Sequence, residues 1–417
     1  MKWVLFLLAS VGSSFGANVI FVHPDGAGIS HWQAARFFWA GPDAELNWDR
    51  LPHLAVYRGH MRDSLSATSN GGATTHAYGV KVPSHAFGTD GISVGAALSA
   101  GGARKSIMYE ALGLGIRTAL VNSGSIIEPG TACFVASAEN RKNGEEITRQ
   151  VVESGVYVIL SGGEEWFLPA GTKGRHGGEG RRIDGRNLVR WAQEKGYAVV
   201  YTREELSALP AGTPRVLGIF ANEDTFNDMG EEKLIRSGLP TYSAVAPTIG
   251  EMTAAALRFL SPGPFLLVVE EEGSDNFANH NNGQGTLDAL KRADDALGVA
   301  MGFVEKHPNT LLLTAADSSA GAMDVLGFVP TPERLLVALG GRDLNGAPFS
   351  LDPEGKPFLS KPDKSGQRHP FVLVWGTKHD TSGGILVRAM GKNASQVTGS
   401  FDNTRIYSLM RETLFED

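Results

Sequence analysis

The sequence predicts an α/β fold built on a large, mostly parallel sheet with helices on both faces, a three-layer αβα arrangement. Three observations point there. Short apolar runs recur along the chain, and each stops at Gly, Asp, Glu or Ser. Amphipathic stretches such as LDALKRADDALGVAMGFVEKH separate them. The chain has 417 residues and 42% hydrophobic content, enough for the core of one large domain or two smaller ones. Strands covered on both faces read as continuous apolar runs, and βα alternation of this kind makes parallel sheets.

Taken in order, MKWVLFLLASVGSSFGA has a lysine, an apolar run and then small residues, the pattern of a secretory signal peptide over residues 1–17. The single unit expected after it is 18–417, exported to a periplasmic or extracellular space. NVIFVH (18–23) is the first strand, ending at PDGAG, and ISHWQAARFFWA has helical spacing. SIMYEALGLGI reads as a helix and RTALVNSG as a strand with a polar end. VYVILSGG, YAVVYT, RVLGIFA, PFLLVVEEE and TLLLTAADSS continue the strand series. Two surface insertions are expected, near 171–187, which is rich in Gly and Arg, and near 342–370. In open α/β sheets functional groups gather at the carboxyl ends of the strands.

Composition excludes several classes. A net charge of −7 offers no footprint for nucleic acid or an anionic membrane. No segment after the leader reaches 18 apolar residues, so no membrane span is expected. The lone cysteine, Cys133, rules out an intramolecular disulfide and any Cys-based zinc cluster. The 52 glycines exceed the usual share of about 7% and imply tight turns and close backbone approaches.

Two features carry chemistry. The stretch TSNGGATTHAYGVK (68–81) puts Ser69 where a glycine-containing turn leads into a helix. A serine there is either an N-cap or a nucleophile at a helix N-terminus, where outward N–H groups receive an anion. Carboxylates also stand at four strand ends far apart in sequence: Asp25, the cluster Glu270 to Asp275, Asp317 and Asp380. In one sheet these would converge on one edge, and burying them together requires cations. Two or three divalent metals, a serine and an arginine are the parts of metal-assisted phosphoryl transfer.

Here the chain resembles the alkaline phosphatase family across nearly its whole mature length. The family's Asp-Gly-Met-Gly and Ala-Ala-Arg are matched by Asp25-Gly26-Ala27-Gly28 and Ala34-Ala35-Arg36, and TSNGGATTHAYGVK aligns without gaps with the nucleophile motif. The resemblance implies Ser69 as nucleophile, with Thr68 where the family has Asp. A rival register through Asp63-Ser64 needs an insertion of about five residues, so Ser69 is preferred. In EPGTACFVASAENR, Thr131 is implied as a hydroxyl ligand, one residue out of step, and Arg141 as the phosphate clamp. The planar fork of an arginine suits that role.

The departures fall on the metal ligands. In EEEGSDNFANHNN, Asp275 fits, Glu270 and Glu272 compete for one role, and Asn279 takes the place of a histidine, with His280 one residue late. Ala-Asp-His becomes Ala316-Asp317-Ser318, and the final histidine becomes Asp380, with His379 one residue early. In the ungapped register all three imidazoles are replaced by oxygen-bearing side chains. Such donors suit Mg²⁺, Ca²⁺ or Mn²⁺, whereas imidazole suits zinc, which stays open through His280 and His379. The activity implied is extracytoplasmic hydrolysis of a small phosphate ester through a phosphoserine. The alternatives are a phosphodiesterase of the same superfamily and a metal- or phosphate-binding relative without turnover. Homodimers are common in the resembling family, and the same assembly is an expectation here.

Overall fold

The computed structural model describes residues 16–93, 95–327 and 348–415. The leader expected over 1–17 and the excursion expected near 342–370 therefore fall partly outside the described residues. Fourteen strands are described: β1 (Asn18–Pro24), β2 (His53–Arg58), β3 (Arg117–Ser125), β4 (Val158–Gly162), β5 (Ala198–Val200), β6 (Val216–Ile219), β7 (Phe265–Glu271), β8 (Thr310–Thr314), β9 (Met323–Leu326), β10 (Phe349–Ser350), β11 (Phe358–Leu359), β12 (Pro370–Trp375), β13 (Leu386–Gly391) and β14 (Ser400–Asp402). Ten form the main sheet, in the order β14-β2-β13-β8-β1-β7-β3-β4-β6-β5. The run from β8 to β5 is parallel throughout, and only β13 runs against its neighbours.

The centre of this sheet is apolar on both faces. Val19, Ile20, Phe21 and Val22 of β1 and Leu266 to Val269 of β7 are buried throughout. The helices Ile249–Leu260 and Gly283–Lys306 pack together over one face; Ser69–Tyr78, Ile107–Gly113 and Thr404–Phe415 cluster over the other. The long helix opens at an Asn282 side-chain cap, and Ile249–Leu260 opens at a Thr248–Glu251 capping box. A smaller antiparallel sheet, β9, β10, β11 and β12, forms from the segment after β8.

Two expectations change. The glycines of TSNGGATTHAYGVK do not make a turn before a helix: the helix already begins at Ser69, so Gly71 and Gly72 lie inside it. Close approach explains them, because a Cβ on Gly71 would meet Met61 Sδ at 2.5 Å and one on Gly72 would meet Asp317 Cβ at 2.4 Å. Asp380 does not end a strand of the main sheet. It follows β12 of the small sheet and is returned to the main sheet's edge by an antiparallel bridge between Ser319 and Thr381. The 171–187 loop is largely exposed, but Arg182 within it is buried, donating to the Glu145 and Trp166 carbonyls at 2.8 and 3.1 Å.

Candidate active site

The parallel register brings the carboxylates together. In β1 and β7, His23 lies opposite Glu270, and the Asp25 N–H donates to the Glu271 carbonyl at 3.1 Å. Strand alternation sends Glu270 toward the site and Glu271 away from it. Glu271 meets Arg292 at 2.8 Å on the long helix, under the ring of Tyr242. Glu272 follows the last turn of the strand, and its N–H donates to Ser123 Oγ at 3.0 Å. Asp25, Glu270, Glu272 and Asp317 are at most 2% exposed.

Their oxygens lack partners. Both carboxylate oxygens of Asp25 and of Asp317, Oε1 of Glu270, Oε2 of Glu272 and the Ser318 hydroxyl are buried without a hydrogen bond. Native proteins rarely leave buried polar atoms orphaned. Two ligand groups emerge, His23 with Asp25 and Glu270, and Asp25 with Glu272 and Asp275, each with donor atoms within 4.8 Å of one another. Glu270 and Glu272 fall in different groups, and Asp25 is common to both.

The electrostatics agree. Burial pushes Glu270 up to about 8 and holds Glu272, Asp275 and Asp317 well above the ordinary carboxylate range, with neighbouring acids adding to the effect. Asp25 goes the other way. Burial raises it, but the interaction with His23 outweighs that, with Asp317 and Ser69 also contributing, and it stays below the usual range. Burial pulls His23 down, yet Asp25, Asp317 and Glu270 together drive it up to about 10. A cluster that pulls this hard on a proton is built to receive cations, and its donors fit divalent metals.

Ser69 is the first residue of a ten-residue helix over this cluster. Thr68 is the N-cap, accepting from Gly71 N–H at 3.4 Å, so the Ser69 hydroxyl is not spent on capping, and Ser69 is among the groups that hold the Asp25 carboxyl low. Arg141, half-exposed, donates to Glu128 at 2.9 Å, and its charge also acts on Glu272, Asp25 and Asp275. Thr131 is buried beside Glu270, and both accept from Asn122 Nδ2, Thr131 at 2.8 Å. Gly130 allows this: a Cβ there would stand 1.8 Å from Glu270 Oε1.

At the positions where the sequence departs from the resembling family, the side chains divide. Asn279 accepts from Gly321 N–H at 2.9 Å, which fixes its amide, and its NH₂ donates to both oxygens of Asp275 and to Asp380 at 2.9–3.1 Å. It faces the site as a donor between two carboxylates rather than as an oxygen ligand. Ser318 is buried with its hydroxyl unpartnered, close enough to help lower the Asp380 carboxyl against the effect of burial. His280 points to the surface, its Nδ1 2.7 Å from Asp228, and His379 is exposed. Neither of these histidines joins the carboxylates. Five residues around the cluster went unread in the sequence: His23, Asn122, Glu128 and the pair Tyr57–His76, 2.7 Å apart behind His23. For His23 a signal existed, since period-two alternation puts it on the same strand face as Asp25.

A family profile described as alkaline phosphatase matches residues 16–415. The tissue-nonspecific alkaline phosphatase of Gallus gallus is 26% identical over 418 residues, covering 90% of this chain and 75% of that protein. Among solved structures, Thermus thermophilus alkaline phosphatase superposes with a TM-score of 0.73 at 23% identity, covering 96% of this chain and 91% of that one. A variant of the TAB5 alkaline phosphatase in which a histidine is replaced by aspartate, solved with Mg bound, gives a TM-score of 0.70 at 21% identity, covering 96% and 99%. At these identities the structural likenesses establish the fold. Among the described residues no helix is long and apolar enough to cross a membrane.

Proposed function

This chain belongs to the alkaline phosphatase family, and we propose that it hydrolyses phosphate monoesters through a Ser69 phosphoserine, with two or three divalent cations held by its buried carboxylates. The observation that carries this reading is the set of buried, unpartnered carboxylate oxygens beneath the helix that begins at Ser69. Asp25, Glu272 and Asp275 would hold one cation, Asp25 and Glu270 beside Thr131 another, and Asp317, Ser318 and Asp380 supply the remaining donors. Bound there, divalent ions make a serine hydroxyl more acidic and neutralise charge gathering on the phosphoryl and leaving oxygens.

The protein's own groups do the rest. Ser69 Oγ attacks phosphorus in line, forming one P–O bond as the ester P–O bond breaks, and water then cleaves the phosphoserine to release phosphate. Free N–H groups at the start of the Ser69–Tyr78 helix face anionic oxygens favourably. Arg141 lies close enough to the carboxylates to clamp two phosphoryl oxygens once it is released from Glu128. Oxygen donors predominate, which favours Mg²⁺, Ca²⁺ or Mn²⁺ over zinc. The TAB5 variant, with aspartate for histidine and Mg bound, is consistent with that preference. The leader-like residues 1–17 support action outside the cytoplasm.

The test is p-nitrophenyl phosphate turnover by chelator-stripped protein resupplied with single metals, with acid-quenched intact mass to trap phosphoserine. Turnover restored by Mg²⁺ or Mn²⁺ and a trapped phosphoryl group, both lost in Ser69→Ala, are expected. Metal binding without turnover or phosphoserine would move the reading to a binding protein.

A further inference from the structure

We propose that His23 is a nitrogen ligand of the cation held by Asp25 and Glu270, so that this position takes a borderline transition metal such as Mn²⁺ or Zn²⁺ in preference to Mg²⁺. The inference rests on the metal-site reading above and concerns which donor completes one site.

The tautomer is the first argument. His23 Nδ1 lies 2.8 Å from the Ala315 carbonyl oxygen, which can only accept, so Nδ1 carries the hydrogen. In the neutral ring the lone pair is then on Nε2. Metal-binding histidines are held in this way, with the second nitrogen donating to a carbonyl or carboxylate. Nε2 is buried, has no hydrogen-bond partner, and lies 3.5 Å from Asp25 Oδ1. With Asp25 and Glu270 it forms a set of donor atoms all within 4.8 Å of one another.

The surroundings fix this ring, and among the described residues the neighbouring imidazole, His76, is engaged elsewhere. His23 is anchored opposite Glu270 in the parallel ladder, and Phe21 and His76 pack against it with ring centroids at 5.9 and 5.5 Å. His76 is committed to Tyr57 through its own Nε2. The hydroxyl of Thr131 accepts from Asn122, which also donates to Glu270 Oε2. One imidazole with two carboxylates is a donor set suited to Mn²⁺ or Zn²⁺.

The experiment uses the full chain labelled with ¹⁵N histidine beside unlabelled protein, stripped with chelator and titrated with Mn²⁺, with electron spin-echo modulation as readout. Histidine-nitrogen modulation that shifts with the label is expected, together with one fewer bound Mn²⁺ per chain in His23→Phe and at least tenfold weaker binding at that site. Should the variant not fold, the labelled wild-type spectrum decides alone. Bound Mn²⁺ with no nitrogen coupling, or coupling that persists in His23→Phe, overturns this inference and leaves the metal reading standing. No bound Mn²⁺ overturns both.

Discussion

Replacing Gly130 with alanine should disable the site while leaving the fold intact. Gly130 lies in the short helix Pro129–Ala132 and is not among the glycines with positive φ, so alanine fits the backbone. Its Cβ would stand 1.8 Å from Glu270 Oε1 and 2.2 Å from Cδ, whereas real Cβ contacts do not fall below 3.0 Å. The carboxylate must therefore retreat by about 1.2 Å, the difference between those two limits for Oε1. The clash is with the end of a flexible side chain, so the fold can yield. The helical position gains up to about 1 kcal/mol from Gly→Ala. Weakening the Asn122–Glu270 hydrogen bond costs about 1–3 kcal/mol. Net destabilisation stays at about 3 kcal/mol or less. Function does not share that tolerance, since a misplacement of about 1 Å at a reacting site costs roughly 100-fold, or about 2.7 kcal/mol of transition-state stabilisation. The assay is kcat/KM on p-nitrophenyl phosphate with saturating Mg²⁺, alongside a thermal melt. Gly298→Ala serves as the control, because its Cβ would meet Asn47 Nδ2 at 2.7 Å far from the carboxylates. Activity within threefold of wild type in Gly130→Ala would refute the claim that Glu270 works from this position.

Glu231 tests linkage away from the site. Burial pushes it up to about 8 from an ordinary 4.5, against hydrogen bonds from Ser350 and Gly283. The folded state thus keeps a proton that the unfolded chain releases near 4.5. The stability this group confers is complete below that pH and is lost as pH rises toward 8, by at most about 1.4 kcal/mol per unit. Urea unfolding of Glu231→Gln against wild type at pH 5, 6.5 and 8 should show the difference closing in the variant's favour, and parallel curves would count against it. Arg292→Met leaves Glu271 buried and unpaired, so unfolding free energy should drop by about 3–5 kcal/mol. Glu271→Gln in the same chain should recover part of it, and no recovery would contradict the pairing argument. Asn279→Ala should lower kcat at least tenfold in Mg²⁺, because Asp275 and Asp380 lose their common donor. His280→Ala should stay within twofold of wild type, and the reverse order would make His280 the functional residue.

The sheet was legible because its strands are buried on both faces, which leaves apolar runs such as NVIFV that few other structures produce. The motif placed Ser69 at a helix start, where the structure has it, although the glycines around it were misread. Glycine suggests a turn unless one can see that Asp317 presses against the helix. The triple glutamate shows the other limit. Sequence offers Glu270 or Glu272 for one role, while the strand's alternation turns Glu271 to Arg292 and leaves both others facing the site. Asp380 was expected on the main sheet because its segment ends a strand, and nothing local says that the strand belongs to a second sheet. His280 and His379 illustrate what register cannot decide: one residue along a helix or loop separates the cluster from solvent, and only packing resolves it. Glu128 escaped notice because its significance comes from Arg141, thirteen residues further on.

Charge balance links these observations to the number of cations. Seven carboxylates surround the two candidate ligand groups, with Asp224 set behind Glu128: Asp25, Glu128, Glu270, Glu272, Asp275, Asp317 and Asp380. Against them stand Arg141 and, when protonated, His23. Ionising all seven with only those partners would leave roughly five uncompensated negative charges in a largely desolvated volume, a cost of several kcal/mol for each ion. Without cations the cluster must therefore keep protons, which is the meaning of the raised Glu270, Glu272, Asp275 and Asp317. Two divalent cations nearly restore balance if His23 stays an imidazolium. If His23 gives up its proton to become a ligand, charge balance favours a third. Metal stoichiometry and the protonation state of one buried histidine are thus a single question. Of the three positions where the sequence departs from the family, Ser318 and Asp380 carry oxygens and Asn279 donates to Asp275 and Asp380, while the imidazole beside Asp25 is that of His23.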